Sequence, residues 1–367
     1  MPHQGEPLRR LGFLTIGTFA EDDPGPGHEE VLRVIELGER LGFDSAWLRH
    51  RHLQPGISSP VAVLAAATQR TTRIELGTAV TPLGWENPLR VAEDWATVDV
   101  LSGGRLNPGF STGTPMRFDD VRAALYPDTA DAEDFTHRRA ERLLALLRGE
   151  PAGSRGTQGV EVFSERVQPH SPGLAARTWC GVGSTGSARW AGEQGLNLLL
   201  SSVVRAEDGV GQRAGSSPED DDAWDFGAAQ AAHVEAYRAG WGDREGQAGQ
   251  GRISQGLVVI PTDSATPAQV QRYRDYAASR DARTARPQGP GRLLFARDLV
   301  GSSAEIAERL WDHAGFRAVD EAVFALPFTF EATDYEQILT DTAGSLGPAL
   351  GWAPSSAQSS APSSTQR

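Results

Sequence analysis

The chain has 367 residues, 39% of them apolar and 23% charged, and a formal net charge of −13. Such a chain has enough apolar material for a packed core, and its acidity excludes nucleic acid and anionic membrane surfaces as expected partners. A lone cysteine, Cys180, excludes an internal disulfide and suits a cytoplasmic location; no run approaches the roughly 20 apolar residues of a spanning helix, and MPHQGEPLRR lacks the apolar core of a secretory leader.

In chain order, residues 11–16 read as a strand, and residues 28–41 as a helix with Val31, Val34, Ile35 and Gly38 at helical spacing. A strand at 45–48 follows, then a helix opened by Ser59-Pro60, with proline tolerated in the first turn. The β-branched and apolar run 74–80 predicts a buried strand, 88–101 a helix, and 106–110 a short strand. A long connection leads to a helix at 135–147. Strands are expected at 178–182, 197–200, 253–260 and 322–326, with helices near 187–194, 227–239, 267–279 and 303–313 between them and a last helix near 335–346. Thr266 followed by Gln269, and Ser302 followed by Glu305, match capping boxes that mark two helix starts.

Eight strands alternating with helices imply a parallel sheet, and at this length a closed (β/α)8 TIM barrel with insertions, α/β in class. An open doubly wound sheet is the alternative, but no glycine-rich turn after the first strand carries a dinucleotide fingerprint. One barrel domain is expected over 1–352. Residues 148–172 form an insertion, with an extra hairpin at 160–167. The stretch 205–225 holds Gly-Ser-Ser-Pro-Glu-Asp-Asp-Asp and reads as a flexible surface insertion, a lid over the site being the sharper alternative. The Ser/Ala/Pro/Gln tail 353–367 has too little to bury to offset its ordering entropy and is expected to be disordered.

Four stretches after strands can carry chemistry. Gly183-Ser184-Thr185-Gly186-Ser187 lies between a strand and a helix. It is either an anion cradle of backbone N–H groups, hydroxyls and a helix N-terminus, or a tight turn with a serine cap. Ser111-Thr112-Gly113 ends the fourth strand, where hydroxyls at the barrel mouth can meet a ligand or merely cap a loop. Ala79-Val80-Thr81 ends the third strand. His50-Arg51-His52 ends the second, at the barrel end where catalytic groups gather, although a solvated loop is the plain alternative. Thr18, Phe19, Ser201 and Ser202 lie at strand ends and can line the same mouth; Trp85 either walls the pocket or packs in its loop. Arg105 reads as a structural turn residue, Glu93, Asp94 and Asp99 as ion-pair partners, and Cys180 as packing. His3, His28, His137, His170, His233 and His313 are scattered without metal-ligand spacing, so no metal centre is expected, and neither a Gly-x-Ser-x-Gly elbow nor a P-loop is present.

Residues 77–113, together with Gly42-Phe-Asp-Ser-Ala-Trp-Leu48 and Gly181-Val-Gly-Ser-Thr-Gly-Ser187, resemble the bacterial luciferase-like, flavin-dependent monooxygenases over roughly residues 11–200. The resemblance implies a two-component enzyme that takes reduced FMN from a separate flavin reductase and uses O2 to oxygenate a small organic substrate. It implies that Gly183 to Ser187 hold the FMN phosphate, that Trp190 matches the tryptophan after that turn, and that Ser111 and Thr112 contact the flavin. A non-proline cis peptide is expected at Ala79-Val80, beneath the flavin ring and beside Thr81. Two departures stand out. The luciferase has a phosphate-binding arginine where Thr112 stands. The family often shows Glu-His-His where this chain has His50-Arg51-His52, so Arg51 occupies the position of the luciferase's catalytic histidine. An arginine cannot act as a base; it can bind an anion, which leaves His50 or His52 to transfer protons. Two other readings stay open. One is hydride transfer with a reduced deazaflavin coenzyme, toward which Arg51 and Arg117 point; the other is a non-catalytic flavin-binding relative. The resemblance also implies a homodimer through helices two and three, where Ala62, Ala65, Ala66 and Ala67 allow close approach.

Overall fold

The computed structural model describes residues 7–213, 215–217, 223–242 and 251–355. Its main sheet is parallel throughout, with ten hydrogen-bonded segments. Eight barrel strands account for them: Arg10–Thr15, Ser45–Leu48, Glu75–Thr78, a fourth split in two, Trp179–Val182, Asn197–Leu200, Ile253–Gln255 and Glu321–Ala325, with Thr81–Pro82 as an added short segment. The fourth strand closes the ring. Its first half, Leu106–Asn107, pairs with Leu76 and Gly77; its second half, Gly109–Ser111, pairs with Trp179 and Cys180. Pro108 separates the halves, because a proline has no N–H to give a ladder. The expected (β/α)8 barrel is therefore the fold.

Two expected strands differ in extent. The third ends at Thr78, where the Ala79–Val80 peptide is cis and steps out of the ladder before Thr81 rejoins it against Phe110. The ladder of the seventh breaks after Gln255, Val258 still bridges Ala325 of the eighth, and Val259–Pro261 then pairs with Leu299–Gly301 on the rim. The capping boxes at Thr266 and Ser302 are formed, opening helices Pro267–Asp281 and Ser303–Asp312. The last helix starts earlier than its periodicity suggests, as Ala332–Asp341, and then widens into a π turn over Thr342–Leu346. The insertion hairpin is Gly156–Gln158 against Glu161–Phe163, a few residues before its expected place.

The barrel interior is filled in layers. At the N-terminal end Arg252 donates to both Glu321 oxygens (2.9 and 2.8 Å), to Glu75 (3.0 Å) and to Asn107 (3.3 Å), while Arg10 pairs with Glu75 at 2.8 Å. Above it Trp47 meets Trp179 edge to face at 5.3 Å, in one cluster with Leu199 and Val323 against which Ala79 and Val80 pack. Gly77 is required here: a Cβ would stand 2.2 Å from the Trp47 ring. With the bottom closed, chemistry is confined to the mouth formed by the strands' C-terminal ends.

On the rim, Val203–Arg205 pairs antiparallel with Leu293–Phe295, and Val204, Ala206, Ala223, Trp224 and Leu294 form a small second core. The described part of 205–225 is thus tied down, by Ala206 N–H to the Arg292 carbonyl (2.8 Å) and Asp225 N–H to the Gly211 carbonyl (2.6 Å); residue 214 and residues 218–222 lie outside the described residues. Of the expected tail, 353–355 are described, with Ser355 donating to Asp44 at 2.8 Å, and 356–367 lie outside. Among the described residues no helix is long and apolar enough to cross a membrane. In helix Pro60–Thr68, Ala67 is in the core while Ala62 and Ala66 are exposed.

Candidate functional site at the barrel mouth

The exits of strands two and three bring four polar side chains together. His50 Nδ1 lies 3.4 Å from His52 Nε2, and His50 Nε2 lies 3.2 Å from the Thr81 hydroxyl. Thr81 donates in turn to Thr78 Oγ1 (3.3 Å), whose hydroxyl is fixed by the Gly109 carbonyl (2.7 Å) and N–H (2.9 Å). The His50 ring is thereby referenced to two barrel strands. His52 stacks flat on Trp85, with centroids 4.2 Å apart and planes at 7°, so Trp85 is a wall of this cluster. The fourth member is Glu86, whose carboxylate falls with the two imidazoles inside a 4.8 Å span. Its segment is clamped by the buried Arg139, which donates to the Leu83 carbonyl (2.8 Å) and the Glu86 carbonyl (2.6 Å).

Burial, and then the neighbouring His52, hold His50 down to about 3; burial also lowers His52. Both imidazoles are therefore neutral at neutral pH. Burial, reinforced by the Asp94 charge and opposed by Arg139, pushes Glu86 up to about 7. Glu86 is thus the member of the cluster whose protonation changes near neutrality. Sequence reasoning passed over it. Its signal was a carboxylate just before the Asn87-Pro88 helix start, a few residues past a strand exit.

Arg51 makes no hydrogen bond to either histidine. Its guanidinium lies 5.4 Å from the Phe328 ring, with Arg280 at 5.2 Å from the same ring. Arg49, half-buried beside them, is held down to about 10 by burial and by the charges of Arg51, Arg280 and Arg283. Asp298 pairs with Arg280 at 2.6 Å; among the described residues neither Arg49 nor Arg51 has a carboxylate partner. This cationic wall was foreshadowed only by Arg51. Arg117 is engaged by Asp120 at 2.7 Å.

Farther round the rim, Ser111 and Thr112 are half-buried, and their hydroxyls have no hydrogen-bond partner among the described residues. Ser111 is on a level with Pro82 of the added segment. Val80 packs on Gly181: a Cβ there would lie 2.7 Å from the valine. The Gly183–Ser187 turn follows. Ser184 caps helix Thr185–Gln194 by accepting from Ser187 N–H (3.2 Å), and nothing lies within 4 Å of a Cβ at Gly186. Of the two expected readings the serine cap is formed, and the first N–H of the helix is engaged by a carboxylate of the chain itself. Glu207 accepts from Thr185 N–H at 2.7 Å and from the Thr185 hydroxyl at 3.2 Å, a carboxylate where a phosphate would bind. The fully buried His233 stands 3.5 Å behind it, too far for a good hydrogen bond. Trp190 lies outside the mouth, stacked on His137 at 4.1 Å.

The remaining sequence candidates are structural. Arg105 donates to the Ser102, Ile74 and Thr71 carbonyls. Asp99 pairs with Arg177 at 2.7 Å, while Glu93 and Asp94 pair with Arg90 on their own helix. Cys180 is buried, which pushes its thiol up to about 12.

The family model for luciferase-like monooxygenases matches residues 9–216. The chain is 31% identical over 207 residues to the 4-hydroxyprotoasukamycin monooxygenase of Streptomyces nodosus subsp. asukaensis, covering 54% of this chain and 52% of that protein. It is also 31% identical over 189 residues to the F420-dependent glucose-6-phosphate dehydrogenase of Intrasporangium calvum, covering 48% and 54%. The alignment thus spans about half the length of these curated relatives. In three dimensions it resembles the oxygenating constituent of 3,6-diketocamphane monooxygenase from Pseudomonas putida, solved with FMN: the TM-score is 0.64 at 13% identity, over 93% of this chain and 98% of that one. At that identity the likeness is one of fold. Barrel, split fourth strand, polar strand exits and family match converge: this chain belongs to the luciferase-like monooxygenase family.

Proposed function

We propose that the chain is an FMN-dependent monooxygenase of the two-component type, taking reduced flavin from a separate reductase and using O2 to oxygenate a small organic substrate. The observation that carries this reading is the His50–His52–Thr81–Glu86 cluster at the exits of strands two and three, above a sealed aromatic floor. The names of the relatives support it, as does the FMN bound in the Pseudomonas structure.

The residues fit a flavin with one displacement. The open space at Gly186, the unpartnered hydroxyls of Ser111 and Thr112 and the start of helix Thr185–Gln194 can hold a phosphate and its ribityl chain, provided Glu207 yields Thr185 N–H. Bound there, reduced flavin would supply the electrons for oxygen activation. The protein's part is assigned as follows. Glu86, poised near neutrality, holds and returns a proton; the neutral His50 and His52 pass it along or orient the reactants by hydrogen bonds. Arg51 stays cationic and attracts an anionic portion of the substrate together with Arg49. The tryptophan floor keeps water from entering below.

A second reading, hydride transfer with a deazaflavin coenzyme, is favoured by one observation: the Arg49, Arg51, Arg280 and Arg283 wall suits a long anionic tail. Anaerobic titration with reduced FMN, and in parallel with the reduced deazaflavin coenzyme, separates the two by quenching of tryptophan fluorescence. Tight binding of reduced FMN is expected, followed by substrate oxygenation that is lost in the Glu86→Gln variant. Binding of the deazaflavin coenzyme alone transfers the assignment to hydride transfer. Binding of FMN with no turnover on any donor pair favours a non-catalytic relative. A cytoplasmic location and a homodimer through the exposed Ala62–Ala66 face belong to the same proposal.

A further inference from the structure

We propose that His50, His52 and Glu86 form a site for a first-row divalent metal ion, of the size and donor set that suits Zn²⁺, at the mouth of the barrel. The inference does not depend on the flavin reading, since it rests on the geometry of three side chains; an ion held there would take the place of the proton relay assigned above to the same residues. Zinc bound by imidazole at about 2.0–2.1 Å in a tetrahedron sets neighbouring donor atoms roughly 3.3–3.4 Å apart. His50 Nδ1 and His52 Nε2 are 3.4 Å apart. The spacing of the two rings matches what one shared ion would require. One Glu86 oxygen and one nitrogen of each imidazole lie within 4.8 Å of one another.

The supports around these donors are those a metal site needs. The other nitrogen of His50 is occupied by the Thr81 hydroxyl at 3.2 Å, which leaves Nδ1 directed at His52. The His52 ring is held by the flat stack on Trp85, the residue next to Glu86. The backbone of Leu83 and Glu86 is clamped by Arg139, whose guanidinium pairs with Glu133 at 2.8 Å and makes no hydrogen bond to the Glu86 carboxylate. Among the described residues that carboxylate has neither hydrogen-bond nor ion-pair partner, although it is half-buried. A half-buried anion facing two imidazoles without a partner is the feature that a cation explains. Three protein ligands leave a fourth position open to water or substrate, the pattern of a reactive rather than a purely structural site.

The test titrates the metal-stripped full chain with Zn²⁺ by calorimetry and with Co²⁺ by visible absorbance, whose ligand-field bands report coordination geometry. One ion per chain with micromolar or tighter affinity is expected, with the strong bands of a near-tetrahedral Co²⁺ site. His52→Gln and Glu86→Gln should each weaken Zn²⁺ binding by at least a hundredfold, and Thr81→Val, which removes the hydroxyl that supports His50 but no ligand, by about tenfold. Circular dichroism of each variant identifies any that fails to fold, and the spectrum of the parent remains decisive in that case. Octahedral, weak Co²⁺ bands in the parent, or zinc binding unchanged in both His52→Gln and Glu86→Gln, would overturn the proposal, the latter placing the ion on surface histidines.

Discussion

At the scale of single residues, the mouth of this barrel is governed by where charge is allowed to exist. Glu86 is the clearest case. Its carboxyl is pushed from the ordinary 4.5 to about 7 in the folded chain, so the folded state holds the proton more tightly than the unfolded one across that window. Stability contributed by this group is therefore full below about 4.5 and is lost as pH rises to about 7. Glu86→Gln, which mimics the protonated acid, should match the parent in thermal unfolding at about pH 4 and melt at a higher temperature at about pH 8. Equal melting of the two proteins at pH 8 would remove Glu86 from this role. Glu207 acts in the opposite direction, as an internal anion on the helix that should receive a phosphate. Glu207→Ala frees Thr185 N–H and deletes a like charge. Reduced FMN should then bind about fivefold more tightly, the equivalent of about 1 kcal/mol for one such contact; an unchanged dissociation constant would mean the phosphate sits elsewhere.

At the scale of elements, the fold was legible wherever local pattern and global need agree. All eight strands, the two capping boxes and the serine-capped turn before helix Thr185–Gln194 were visible as runs, caps and small residues, because each is fixed by its own neighbours in sequence. The split of the fourth strand at Pro108 and the break of the seventh after Gln255 were not, since both depend on which partner strand is within reach. The same limit hid most of the site. His50 and His52 announced themselves, but Glu86, Glu207 and Arg280 become functional candidates only through contacts across the chain. Helix packing behind the serine-capped turn shows the price of such contacts in side-chain volume. Helix Thr185–Gln194 rests on helix Phe226–Gly242 so closely that a Cβ at Gly192 would lie 2.2 Å from the Tyr237 carbonyl oxygen, and one at Gly240 would lie 2.2 Å from that of Arg189. Backbone cannot give way as a flexible side chain can. Gly192→Ala should cost about 1–3 kcal/mol in chemical denaturation and weaken flavin binding by displacing the turn.

At the scale of the whole molecule, the two ends of the barrel domain are fastened to each other. Leu8 N–H donates to the Leu350 carbonyl at 2.9 Å, and Trp352, 3% exposed, donates to Asp44 at 2.8 Å while packing on Phe43 at 5.8 Å. Trp352→Ala should lower stability by about 3–5 kcal/mol, measured by urea unfolding, and a loss below about 1 kcal/mol would show this closure to be dispensable. A second fastening lies at the opposite end. The antiparallel ribbon of Val203–Arg205 and Leu293–Phe295 joins the segment that bears Glu207 to the one that leads into Asp298, the partner of Arg280. The two sides of the mouth thus share one ribbon: past one strand stands the carboxylate that occupies the helix start, and past the other the carboxylate that neutralises part of the arginine wall.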